Sequence, residues 1–258
     1  MEPVTIVVAA LNLAASIVYG YVGRLIIGRR LEGPAAVASK LFGVWWISLA
    51  IVSVLGFIPI IGGVLQIGEV AFYLAYLQLV ILIIVIAIWA LVYYLVFLLT
   101  GKSSLFTPIA IYFGLVWVLF IYAIATIHYS AVDFTASGAV LHPDSQIARP
   151  VALALSVTLI APPLVAALGY FRLFFRVKGA TPRYRIGLVS ITFVLWFLSS
   201  AVGSALPAGT TQTIPWRIFT GLLGVAAAIA ILFAYRPPAW VRRKYGIEAV
   251  DEHTDEPA

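Results

Sequence analysis

The sequence contains no cysteine. That excludes disulfides, thiolate metal sites, thiol nucleophiles and lipid anchors attached through sulfur. Charge is scarce as well: Asp, Glu, Lys and Arg make up 10% of the 258 residues, against about 25% in a soluble domain. With 63% hydrophobic residues beside so few charges, a soluble globule and a disordered chain are both excluded. Histidine is limited to His128, His142 and His253, too few and too dispersed for a bis-histidine haem or a His-rich metal site. The net charge of +6 does not imply a nucleic-acid partner, because basic cytoplasmic loops of a membrane protein account for it.

What the chain does have is apolar runs, with a mean hydropathy of +1.09. A spanning helix needs about 20 mostly apolar residues. Seven runs qualify, at about 4–27, 38–57, 69–99, 106–128, 148–175, 186–206 and 215–235. They are far too long for barrel strands of about 9–11 residues, so the expected fold is an all-α integral membrane protein, a seven-transmembrane-helix bundle over residues 1–236. Residues 237–258 read as an appendage: a basic interfacial segment, Ala239 to Tyr245, then an acidic tail from Glu248 expected to be disordered.

The charges set an orientation. With the N-terminus outside, every basic residue except Arg149 and Arg217 falls in a cytoplasmic loop or the cytoplasmic tail. That asymmetry is the positive-inside pattern, and it predicts a multi-pass protein of the plasma membrane with its N-terminus out and C-terminus in. The first run has no basic residue before it and does not read as a cleavable signal. The lipid bilayer is then the first partner, with anionic lipid at the cytoplasmic face.

Polar residues inside spans are costly and are default candidates for function. Glu69 and Arg217 open the third and seventh runs on the outer side, and a Glu69–Arg217 pair at the outer mouth is the sharpest expectation. Arg217, Gly221, Gly224 and Ala228 share one helical face whose small residues mark close packing, so Arg217 should point inward. Asn12, Ser16 and Tyr19 form a stripe on the first helix, and Trp196, Ser200 and Ser204 one on the sixth. On the third, Gln78 lies roughly opposite Glu69, Tyr73 and Tyr76. Together these could line a ligand pocket open to the outside, or be interhelical hydrogen bonds in a packed core, each contributing about 0.6 kcal/mol. His128, near the outer interface, is a candidate pH sensor or an ordinary interfacial histidine. Pro162 and Pro163 should kink the fifth helix, as a hinge or a static bend. Trp45, Trp46, Tyr93 and Tyr94 read as an aromatic belt at the inner interface.

Seven spans with an outside N-terminus resemble the opsins and receptor-like seven-helix bundles, in topology over about Val4 to Tyr235. An opsin would carry a Schiff-base lysine in the middle of its seventh helix. Here that helix reads Ile214-Pro215-Trp216-Arg217-Ile218-Phe219-Thr220-Gly221 and continues without lysine, and Lys40, Lys102, Lys178 and Lys244 all map to the inner side. The third helix ends Leu98-Leu99-Thr100-Gly101-Lys102, without the Asp-Arg-Tyr-like end of eukaryotic receptors. The resemblance therefore implies an opsin-like bundle without covalent retinal, from a prokaryote given its compact loops, with a non-covalent lipid or isoprenoid left open as ligand.

Three functions compete. The first is a non-enzymatic binding or sensory protein that takes a small apolar or amphipathic ligand and signals to a protein partner through the inner loops. The second is a small-solute transporter or channel, against which stand the lack of a visible inverted repeat and of a central carboxylate. The third is a structural or assembly subunit of a membrane complex. No Ser/His pair, His-Glu-x-x-His or Asp pair lies within the spans, so an intramembrane enzyme and a catalytic metal are not expected.

Overall fold

A backbone that crosses hydrocarbon must satisfy its own amides and carbonyls, and a helix does this within one segment. The structure, a computed structural model, is accordingly mostly helical, and it describes residues 3–29, 32–135, 138–144, 149–205 and 214–246. In chain order it has α1 (Pro3–Ile27), α2 (Gly33–Leu55), α3 (Phe57–Leu65), α4 (Val70–Thr100), α5 (Phe106–Ala125), strands β1 (Tyr129–Thr135) and β2 (Gly138–Pro143), then α6 (Arg149–Arg176), α7 (Ala180–Ala205), α8 (Ile214–Tyr235) and α9 (Ala239–Tyr245). Among the described residues, five helical stretches are long and apolar enough to cross a membrane: Thr5–Ile27, Gly33–Leu65, Val70–Thr100, Ser103–Ala125 and Pro215–Tyr235. α6 and α7 have 28 and 26 residues.

The helices form a ring. α1 lies between α2 and α8, α2 adjoins α4, α7 lies between α6 and α8, and α6 returns to α4 and α5. α5 flanks α4 outside this ring. α1 and α2 cross at two glycines. A Cβ on Gly23 would lie 2.9 Å from the Gly43 carbonyl oxygen, and one on Gly43 would lie 3.0 Å from that of Gly23. Close backbone approach of this kind is how helices pack where lipid offers no hydrophobic drive between them. The outward surface remains apolar, with Ile17, Leu115 and Leu168 each 60% exposed or more.

Two ends can be told apart. Gly101, at φ +69°, ends α4 in the left-handed region that suits glycine, and the last turns of α1, α6 and α9 are basic, with Arg24, Arg176 and Arg242 to Lys244. At the opposite end β1 and β2 pair antiparallel, Thr135 opposite Gly138 and Ala131 opposite His142. This hairpin rests on α3: the Gly138 Cβ position lies 2.7 Å from the Pro59 carbonyl oxygen, and that of Gly63 lies 2.9 Å from the Gly138 Cα.

Several boundaries differ from the sequence expectation. The helix placed at 38–57 begins at Gly33, and the following residues form α3 rather than a loop. Gly56, at φ −58°, ψ −14°, keeps near-helical geometry between the two, so Gly56 and Pro59 do not act as breakers there. The helix placed at 186–206 begins six residues earlier, at Ala180, because Pro182 falls in its first turn, where a missing N–H costs nothing. The helix placed at 106–128 ends at Ala125, and Tyr129 starts the hairpin. α6 runs through Pro162 and Pro163 without interruption. The acidic tail lies outside the described residues.

The inner aromatic belt is also corrected. Trp45 and Trp46 are 1% and 0% exposed, and Tyr93 is 2% exposed. The two indoles meet Phe193 on α7, and Trp46 meets Tyr19 on α1, at centroid distances of 5.5–6.4 Å. Aromatic pairs at such separations fill core volume that small interface residues leave open.

Candidate functional site

The cavity at the hairpin end has a volume of about 360 Å³, within the range of about 300–1,000 Å³ typical of small-molecule sites. α1 contributes Asn12 and Tyr19, α3 contributes Pro59 and Ile60, and α4 contributes Tyr76. α7 contributes Trp196, and α8 contributes Arg217, Thr220, Gly221 and Gly224. Glycine on α8 decides the shape. A Cβ on Gly221 would lie 3.0 Å from Leu11 Cδ1, so the two helices touch there. One on Gly224 would meet nothing within 4 Å, so the cavity occupies that space.

The lining hydroxyls have largely committed their protons. Tyr19 donates to the Gly224 carbonyl at 2.7 Å, Ser53 to the Leu49 carbonyl at 2.9 Å and Thr220 to the Trp216 carbonyl at 3.1 Å. The Asn12 amide, the Tyr76 hydroxyl, the Trp196 indole N–H and the Arg217 guanidinium also line the cavity. The Asn12 amide lies against α2, with its Nδ2 3.2 Å from the Gly56 Cβ position. Trp196 Nε1 is buried with no acceptor in hydrogen-bond geometry. Among the described residues, no carboxylate and no imidazole lines the cavity. The arrangement can therefore hold a polar group by donation, but it offers no strong general base.

Of the residues singled out from sequence, the cavity brings together Asn12, Trp196 and Arg217. Glu69 is exposed at the N-cap of α4 and does not line it, and no Glu69–Arg217 ion pair occurs among the described residues. Tyr73 is 2% exposed, but its hydroxyl fills the space beside Gly62 on α3 instead of the cavity. Gln78 is exposed on the outside of α4. Ser200 lies in α7, and its side chain is outside the described ones. Pro162 and Pro163 sit in α6, away from the cavity, and Pro163 is buried. Sequence reasoning missed Ser53, Pro59 and Thr220. Thr220 lies one turn beyond Arg217 and was findable by that spacing, whereas Pro59 belongs to the unanticipated α3.

His128 is exposed just beyond α5, where its carbonyl accepts the Asp144 N–H at 2.8 Å. A charge-sensitive contact on the hairpin joins His142 Nδ1 and Asp133 Oδ2 at 2.8 Å. That hydrogen bond and the carboxylate's charge hold the His142 imidazole above its ordinary pKa.

The basic end is closed by tyrosine–arginine packing that the sequence did not reveal. The Tyr94 and Tyr170 hydroxyls are hydrogen-bonded at 2.6 Å between α4 and α6. The Arg29 guanidinium lies 4.8 Å over the Tyr235 ring, and that of Arg236 lies 5.3 Å over Tyr21. Such cation–π contacts are worth about 0.5–1 kcal/mol where exposed. Comparison with models of known protein families and with characterised protein sequences finds no match.

Proposed function

We propose that the chain is a seven-helix membrane protein of opsin-like architecture that binds a small apolar or amphipathic ligand without catalysis. In this reading the N-terminus and hairpin are outside, the basic end is cytoplasmic, and the host is a prokaryote whose plasma membrane holds the protein. The observation that carries the reading is the 360 Å³ cavity between α1, α3, α4, α7 and α8, with apolar walls and a few convergent donors. The ring order α1–α2–α4–α6–α7–α8 supports the bundle. The basic helix ends would bind anionic lipid and offer a protein partner its contact surface.

Binding is favoured over conduction by what lies beneath the cavity. Phe42, Trp45, Trp46 and Phe193 are 2% exposed or less and form an aromatic layer between the cavity and the basic end. Native mass spectrometry of protein purified in its own lipid tests the reading. The wild type should carry a small molecule at one per chain, and Gly224→Leu, which fills the cavity, should lose it. An unliganded wild type with unrestricted solute flux in proteoliposomes would defeat it.

A further inference from the structure

Val177, Lys178 and Gly179 are the whole link between α6 and α7. Gly179, at φ +104°, takes a backbone conformation that suits glycine, and the reversal sets the last turn of α6 beside the first turn of α7. The two turns border an open recess of about 580 Å³, lined by Phe175, Arg176, Lys178 and Arg183 among others. The Arg183 guanidinium lies 4.8 Å over the Phe174 ring, a contact that keeps it at the turn. Among the described residues, no acid lines the recess. Nor does the chain supply one from its neighbours: no Asp or Glu occurs between Asp144 and Glu248, a stretch that holds all of α6, α7 and α8. Leading away from the recess, Phe175, Phe171 and Leu168 share one face of α6 by their spacing of four and seven residues, and all three are exposed.

Resting on the reading above that the basic end meets anionic lipid, we propose that this recess is a site for one anionic phospholipid, its phosphate held by Arg176, Lys178 and Arg183 and an acyl chain lying along Phe175, Phe171 and Leu168. Arginine grips a phosphate through two parallel N–H donors, and lysine meets it as a point charge. Three cations on helices without a carboxylate make a local excess of positive charge, which a zwitterionic lipid, bringing its own cation, matches poorly. The first turn of α7 adds the positive pole of its dipole to the same place. Free phosphate shares the headgroup chemistry but gains nothing from the apolar face of α6.

The test is native mass spectrometry of the full chain in detergent with equal amounts of phosphatidylglycerol and phosphatidylcholine. The wild type should retain one phosphatidylglycerol per chain over phosphatidylcholine by about tenfold or more, since each cation near anionic lipid strengthens binding roughly fivefold. Arg176→Gln, Lys178→Gln and Arg183→Gln together should remove that preference. Arg176→Lys with Arg183→Lys keeps the charge and should keep most of the preference, which shows that the turn tolerates substitution. Arg242→Gln, Arg243→Gln and Lys244→Gln together, an equal loss of charge on α9, should leave the tightest lipid in place. Equal losses in the two triple variants would mean a general attraction to the basic end and would overturn the site. Displacement of the lipid by millimolar inorganic phosphate would assign the recess to a soluble anion and overturn the lipid assignment. A wild type without lipid preference that still carries a cavity ligand, lost in Gly224→Leu, overturns this proposal and leaves the ligand-binding reading standing. A wild type that carries neither overturns both.

Discussion

Tyr19 on α1 donates its hydroxyl to the carbonyl of Gly224 on α8, 2.7 Å away and 205 positions along the chain. The bond ties the first long helix to the last at the cavity wall, and Trp46 packs on the same ring at 5.5 Å. Tyr19→Phe keeps the ring and removes only the bond. The Gly224 carbonyl still lies within α8, so no strong acceptor is orphaned. The expected cost is about 0.6 kcal/mol, the average for interhelical hydrogen bonds in membranes, read as a small drop in thermal midpoint in detergent. A cost above about 2 kcal/mol would mean that the ring itself has moved.

The Gly23–Gly43 crossing predicts a much larger effect from a smaller change. A methyl at Gly23 would face Ile47 Cγ1 at 2.6 Å and the Gly43 carbonyl at 2.9 Å, so α1 and α2 must separate. Gly23→Ala should destabilise by about 1–3 kcal/mol, as overpacking does. Gly43→Ala should match it, and the double variant should cost less than the sum because both strain one contact. Gly114→Ala, where a Cβ meets nothing within 4 Å, should be neutral or slightly stabilising. Unfolding of the four variants by denaturant checks the ranking.

The hairpin should respond to pH through His142. Its folded pKa is raised by Asp133, so the contact stabilises the hairpin fully below the ordinary histidine value of about 6.5 and is lost as pH climbs through the raised value. Hydrogen exchange of the β1 and β2 amides, corrected for intrinsic rates, should show greater protection at pH 5.5 than at pH 8.5. Asp133→Asn should remove the difference, and so should high salt in part, since both side chains are solvent-exposed. Equal protection at both pH values would show that backbone pairing alone holds the strands.

The long apolar helices were legible because spanning length is a strong signal in sequence, and among the described residues five of them are long and apolar enough to cross a membrane. Which face each helix buries was legible only where polar and small residues coincide, as with Arg217, Gly221 and Gly224 on α8. α4 offered no such contrast. Helical spacing set Gln78 opposite Tyr73 and Tyr76, but with a lipid face as apolar as the core face it could not say which side lines a cavity, and of the three only Tyr76 does. Trp45 and Trp46 misled because an indole suits an interface and a tight core equally well. α3 was hidden by Gly56 and Pro59, which normally signal a turn. The cavity wall it supplies was hidden with it.

Pro59 belongs to two structures at once. Its side of α3 lines the cavity, and its carbonyl lies against Gly138 of the hairpin. The solvent-side ornament and the buried chamber thus share a partition one residue thick. If the cavity takes a ligand as proposed above, a label or an antibody fragment on the hairpin should report on it through Pro59, and the ligand should in turn bias what the hairpin can bind.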